Sequence, residues 1–384
     1  MSGPFLTLGF RPFFLAAGLW AVVAMALWIG TLLGWPVLPE WLDALSWHAH
    51  EMVFGYLFAA LAGFLLTAAP SWTGQTPLRG RRLGGLALLW VIGRCAMLLS
   101  GVWPAGLVAL LDLAMPLALA FQTGRQIVAG RNWRNLSVLG AVALLVFGDI
   151  LFHVDQGDAQ GQGLRLGLVG ALIVTTVVGG RIVPNFTRNW LKKNHKPQIL
   201  EEPAALAMAM NGGFLLVLLI WAALPDSPWV GILLIAAGLA HLWRLLRWGG
   251  QHTLSEPLIW VLHLSYLFIP LGALGVGFAI LVNAPQSAAL HLWTIGGLGL
   301  MTLGVMTRAT LGHSGGVLSV GAGTAALYLA VALAALLRPI SSFVAATSAF
   351  QVLAGIAWII GFAGFVLLFG PRHIGARIVA SQTK

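Results

Sequence analysis

The sequence predicts an all-α membrane protein, a polytopic bundle of about twelve transmembrane helices. Hydrophobic residues make up 59% of the 384 residues, charged residues make up 8%, and the mean hydropathy is +0.90. In a soluble protein this length would suggest two or three domains, but the composition overrides that expectation. No segment is polar enough to form a separate soluble domain. We therefore predict a single integral-membrane domain over residues 1–384.

Twelve stretches of mostly apolar residues are each long enough to cross about 30 Å of hydrocarbon as a helix. Several of the 17 tryptophans lie near the predicted helix ends, where amphipathic rings favour the membrane interface. The predicted spans are 10–34, 45–69, 83–102, 104–124, 135–154, 162–183, 204–223, 229–248, 256–282, 288–311, 321–337 and 345–369.

The basic residues are distributed unequally between the loops. The chain has 21 Lys and Arg against 11 Asp and Glu, a formal net charge of +10. All of these cations except Arg94, Arg165 and Arg338 lie at the termini or at the exits of helices 2, 4, 6, 8 and 10. Cytoplasmic loops carry such an excess, so we predict that both termini are cytoplasmic. This placement indicates a lipid bilayer, rather than nucleic acid, as the partner of the basic residues.

Helices 2, 6 and 10 leave the membrane through similar sequences that combine Thr with Pro or Arg. Four-helix units repeated three times would produce this likeness and would place the three helices at equivalent positions. The corresponding repeats are 1–134, 135–255 and 256–384. The alternative is that membrane helix exits converge on these residue types without any repetition.

Histidines at one end of the predicted bundle are the main functional signal. Ionisable side chains at membrane depth are costly and usually mark ion, proton or cofactor sites. Imidazole is also a common ligand of iron and copper. We predict a haem or metal site in the outer leaflet, with His48, His50, His153 and His291 as ligands and Glu51 and Asp149 beside them.

The spacing within this group suggests which histidines bind haem and which bind a second metal. Asp149 and His153 are four residues apart on one helix face, so the carboxylate can orient the imidazole. His48 and His50 point about 200° apart on a regular helix, which favours two neighbouring centres. The alternatives are one centre bound through an irregular helix start, or a single ligand among the two. We expect His50 and His291 to ligate haem, and His48 and His153 to hold a second metal, either copper or non-haem iron.

A second group lies toward the predicted cytoplasmic side. His263 lies inside helix 9 and His313 just beyond helix 10, with Arg181 and Arg308 at the same level. Guanidinium groups suit anions such as haem propionates. His291 and His313 are 22 residues apart, about 33 Å along a helix, so a cytoplasmic cofactor site would be separate from the outer one. The alternative is a hydrogen-bonding network at helix ends.

Two more ionisable residues are predicted at depth, Arg94 in helix 3 and Asp112 in helix 4. We expect them to form a structural ion pair rather than a proton relay. The single cysteine, Cys95, excludes an intrachain disulfide or a thiolate cluster.

Six sequence blocks, spread in order along nearly the whole chain, together resemble one protein family. They are FRPFF at 10–14, WHAHEMVFG at 47–55, GFLLTA at 63–68, GDILFH at 148–153, GGRIVPNFTRN at 179–189 and TLGVMTRATLGH at 302–313. The chain resembles the NnrS family, membrane proteins described as containing haem and copper and associated with bacterial responses to nitric oxide. The ordered set is much more specific than any one block.

The resemblance implies a bacterial inner-membrane protein with haem, of b type, and a role against nitrosative stress. We expect it to bind nitric oxide or a similar small gas and to reduce or otherwise remove it, with electrons from an unidentified donor. Glu51 and Asp149 are the candidate catalytic proton carriers. The alternative is a transporter of haem, a metal ion or a small anion, because twelve helices with repeated units are common among secondary transporters.

Overall fold

The structure, a computed structural model, describes residues 4–35, 42–344 and 347–375. Those residues form twelve long helices and no strand, which confirms the predicted all-α fold. Their bounds are α1 Phe10–Leu32, α2 Ala44–Thr73, α3 Gly80–Leu98, α4 Ala105–Ala129, α5 Leu136–Val154, α6 Gln162–Lys193, α7 Ala204–Ala223, α8 Pro228–Leu246, α9 Pro257–Leu281, α10 Ser287–His313, α11 Ala322–Ile340 and α12 Thr347–His373.

Eleven of these twelve helices are long and apolar enough to cross a membrane. The exception is α3, which carries Arg81 and Arg82 in its first turn and Arg94 near its end. It packs along α4 within the bundle. The chain is therefore a multi-pass membrane protein, and the cytoplasmic location of both termini stays a prediction.

The helices α2, α6 and α10 occupy the inside of the bundle. Their apolar segments are 78%, 78% and 67% buried, followed by 61% for α9, whereas those of α1 and α12, which pack against each other, are 44% buried. Helices that face lipid keep one side exposed when the chain stands alone, so high burial identifies helices surrounded by others. Helices 2, 6 and 10 thus hold comparable inner positions, while the boundaries of the three repeats stay a prediction.

Two of the inner helices contain a π-helical segment near the same end of the bundle. In α2 it covers Glu51–Tyr56, directly after His50, and in α10 it covers Leu292–Gly299, directly after His291. Such segments are rare and frequently occur at functional sites. The inner helices are therefore irregular at the histidines that the sequence singles out.

Glycines bring α5 close to α6 and so fix the position of the residues at the end of α5. A Cβ added at Gly148 would collide with the backbone of Gly167, and one added at Gly163 would collide with that of Phe152. Small residues allow this close approach of membrane helices. The contact holds the last two turns of α5 against the inner helix α6.

Candidate functional site

The helix ends place several ionisable side chains at one level. Asp43 caps α2, because its carboxylate accepts hydrogen bonds from two backbone N–H groups of the first turn at 2.9 and 3.1 Å. His50 follows seven residues later, about 10 Å deeper along the helix axis. Asp112 lies in the second turn of α4, and Asp149 and His153 lie one turn apart at the end of α5.

Two imidazoles and two carboxylates meet there in a buried cluster, which we call the tetrad: His50, Asp112, Asp149 and His153. The Nε2 atom of His50 lies 3.0 Å from Asp112 Oδ2 and 3.1 Å from Asp149 Oδ1. The Nε2 atom of His153 lies 2.9 Å from the same Asp112 oxygen. One ligand atom from each residue lies within 4.8 Å of the others, and no side chain is more than 5% exposed.

Glu51 sets the protonation pattern of His50. Its Oε1 atom lies 3.1 Å from His50 Nδ1. Arg94 Nη1 donates to both carboxylate oxygens at 2.5 and 2.6 Å, and Trp20 Nε1 donates to Oε2 at 2.6 Å. A carboxylate held by these donors is an acceptor toward the imidazole, so we assign the proton to Nδ1 of His50. The Nε2 atom then faces two carboxylate oxygens, which it can contact favourably only through a second proton or a shared cation.

The π-helical segment of α2 contributes to this arrangement. Gly55 lies against the cluster, and a Cβ at this position would collide with Glu51, Arg94 and Trp20. The carbonyl oxygen of Gly55 accepts a hydrogen bond from Trp90 Nε1 at 2.9 Å. The segment therefore opens the space into which Glu51 and Arg94 fit.

The cluster carries more negative than positive charge. Glu51, Asp112 and Asp149 supply three carboxylates, and Arg94, which contacts Glu51 and Asp112, supplies one guanidinium. Neutral imidazoles would leave two net negative charges, and uncompensated charge is very costly to bury. Within the described part of the chain, Asp149 Oδ2 also has no hydrogen-bond partner. Protons on the imidazoles or on Asp149, or a bound divalent cation, can balance this charge.

The donor set suits a transition-metal ion. Imidazole nitrogens favour iron, copper and zinc, and carboxylate oxygens favour harder divalent ions. A ligating histidine usually donates its other ring N–H to a carboxylate, which is the contact between His50 and Glu51. Both tetrad imidazoles face carboxylates, so the set fits a non-haem metal better than an axial pair for haem.

His48 and His291 lie in a separate group beside the tetrad. The His48 ring stacks on Trp28 of α1 with ring centroids 4.4 Å apart, and His48 lies within electrostatic range of His291 and Arg338. The Nδ1 atom of His291 lies 2.6 Å from the carbonyl oxygen of Ser287, so Nδ1 donates and Nε2 keeps a lone pair. The structure thus brings His48, rather than His50, near His291.

The predicted cytoplasmic residues each have a different partner. The contacts are those of hydrogen-bonded and aromatic networks at helix ends, and ligand roles for these residues stay predictions. The pairs are His263 with Thr187 at 2.8 Å, Arg181 with Asn135 at 2.7 Å, Arg308 over the Phe186 ring at 3.9 Å and His313 stacked on Phe10 at 5.7 Å.

Asp112 takes part in more than the structural ion pair expected from the sequence. Its ion pair with Arg94 is present, but its other oxygen belongs to the tetrad. The available signal was an acid inside an apolar helix. A second, part-buried ion pair had no signal in the sequence pattern: Arg244 donates to both oxygens of Glu202 at 2.7 Å.

Comparison with known proteins places the chain in a family. The family model described as NnrS protein matches residues 4–377, nearly the whole chain. The chain belongs to the NnrS family and is a membrane protein of the nitric oxide response. No curated protein matches it. The family suggests haem or metal binding, and the tetrad is a buried His/Asp cluster suited to a metal ion.

Proposed function

We propose that this protein holds a redox-active transition metal at the tetrad, binds nitric oxide there and reduces it. The observation that carries the proposal is the tetrad itself, two imidazole nitrogens and two carboxylate oxygens within 4.8 Å. Its unbalanced negative charge attracts a divalent cation. Bound iron or copper would supply an open coordination position and one-electron chemistry. The chain's own residues hold that ion, orient its ligands and exclude water.

The two candidate proton carriers have different surroundings. Joining two nitric oxide molecules into nitrous oxide and water consumes electrons and protons in equal number, and the electrons come from an external donor. Asp149 has an oxygen without a partner among the described residues, so it can accept a proton and pass it on. Glu51 is fixed by Arg94 and Trp20. We therefore assign proton transfer to Asp149 and positioning of His50 to Glu51.

For haem we favour His48 and His291 over the pair His50 and His291. The Nε2 lone pair of His291 is available, and His48 Nδ1 is buried without a hydrogen-bond partner in the described ranges. Arg338 is near enough to interact with both imidazoles and can pair with haem propionates. Two neutral imidazoles beside a cation suit haem iron better than an ion that needs anionic ligands.

The metal at the tetrad is tested with His153→Ala. This substitution removes a ligand whose Nε2 atom lies 2.9 Å from Asp112 and 4.0 Å from Asp149. We expect at least about a tenfold loss of metal affinity, since even changes outside the ligand set cost that much. Nitric oxide consumption with an artificial electron donor should fall with it. Metal analysis of purified protein and a nitric oxide electrode provide the two measurements.

The matched control is His252→Ala, which removes an exposed histidine between α8 and α9. It should keep both the metal and the activity. Full metal content and unchanged consumption in His153→Ala would contradict the proposal. Reversible metal release driven by a proton gradient, without nitric oxide consumption, would instead favour the transporter.

The haem assignment predicts a division between histidine variants. His48→Ala and His291→Ala should each lose the haem band in the visible spectrum and keep the tetrad metal. His50→Ala should keep haem and lose the tetrad metal, because its Nε2 contacts only the tetrad carboxylates. Loss of haem in His50→Ala, with full haem in His48→Ala, would support His50 and His291 as the haem ligands, as expected from the sequence.

A further inference from the structure

A partly open apolar cavity of about 50 Å³ lies between the three inner helices. Its walls include Leu57 and Ala60 of α2, Val174 and Val178 of α6, and Val305 of α10. One water molecule needs roughly 10–15 Å³ of such space, so the cavity has room for a small molecule. It is far smaller than the about 300–1,000 Å³ of a pocket for a drug-sized ligand.

The few polar atoms in the wall are already satisfied. Thr175 Oγ1 donates to the carbonyl oxygen of Ala171 at 2.9 Å, and Thr302 Oγ1 donates to that of Leu298 at 2.8 Å. A buried water needs two to four polar partners, whereas apolar cavities stay dry and take up apolar molecules such as xenon. The cavity therefore favours an apolar occupant over water.

The cavity lies close to the tetrad along α2. Leu57 follows His50 by seven residues, at most about 10 Å along the helix axis, with the π-helical segment between them. The Phe54 ring contacts His50, with centroids 5.2 Å apart, and its centroid lies 6.4 Å from that of Phe58, the neighbour of Leu57 in sequence. Apolar residues of α2 thus continue from the tetrad toward the cavity.

We infer that this cavity binds a small apolar gas and supplies it to the tetrad. The chemical class is that of nitric oxide, which dissolves in lipid and needs no hydrogen bond to be held. The identity of the gas rests on the proposed function. The binding of an apolar gas follows from the cavity wall alone and does not depend on the metal.

Xenon is the probe for the test, because it is apolar and does not ligate metal ions. Detergent-solubilised wild-type protein should give a saturable shift in xenon NMR. The shift should be lost in Ala60→Phe and in Ala171→Leu, which fill the cavity from two different helices. A lipid-facing substitution of the same kind, Ala209→Phe on α7, should keep it. Circular dichroism shows whether each cavity-filling variant is folded. If one of them is not, the xenon shift of the other variant tests the inference.

Absence of a saturable shift in the wild type, or its persistence in a folded cavity-filling variant, would overturn the inference. Nitric oxide uptake at low gas concentration should also be slower in the filled variants, with full tetrad metal. Unchanged uptake in a variant that has lost xenon binding would contradict the supply role. Wild-type protein that binds xenon but no metal would support the gas site and contradict the proposed function.

Discussion

Replacing Asp112 by Asn is expected to abolish metal binding at the tetrad. One Asp112 oxygen faces His50 Nε2 at 3.0 Å and His153 Nε2 at 2.9 Å, and the other contacts Arg94. The amide has nearly the same shape, but it removes the charge. Loss of a supporting residue outside the ligand set already costs about 10–100-fold in affinity. We therefore expect at least about a 100-fold loss in metal titrations of chelator-treated protein.

The matched control is Asp226→Asn, in the loop between α7 and α8. Its carboxylate accepts a hydrogen bond from Gln286 Nε2 at 3.1 Å, which an amide oxygen can also accept. Metal affinity should not change. If Asp112→Asn kept wild-type affinity, the metal would bind outside the tetrad, and protons would balance the tetrad charge.

The helices and the depth of the site could be predicted from sequence. Bilayer thickness fixes the length of an apolar helix, so hydropathy locates twelve helices whose bounds agree with the structure within several residues at most ends. Depth then follows from position along each helix. It places His50, Asp149 and His153 at one level, and the structure brings these three side chains together.

The sequence could not predict which helix faces meet. The rotation of α4 about its axis depends on its packing against α3 and α5, so the place of Asp112 in the tetrad has no signature in residue spacing. The π-helical segments change the register of α2 and α10 directly after His50 and His291. A regular-helix argument separates His48 from His50 but cannot show that His48 lies near His291.

Arg94 links the stability of the bundle to the charge of the tetrad. Its side chain is 6% exposed and binds Glu51 and Asp112, which come from different helices. Removing one partner of such a buried pair is strongly destabilising, because the other charge remains buried without compensation. A metal ion at the tetrad would compensate the same carboxylates. Arg94 and the metal should therefore partly substitute for each other.

Replacing Arg94 by Gln is expected to destabilise the metal-free protein by roughly 3–5 kcal/mol. The loss of stability caused by Arg94→Gln should be smaller with the metal bound. It should also be smaller in a protein that carries Asp112→Asn, because fewer carboxylates are then left unpaired. The free energy of unfolding of the single and double variants is measured in mild detergent, with and without a chelator. Their differences give the coupling energy between the two substitutions. The control is Arg125→Gln. The Arg125 side chain donates an exposed hydrogen bond to Gln122. Equal stability of the two arginine variants would contradict this coupling, because the carboxylates would then have to take up a proton in place of the lost guanidinium.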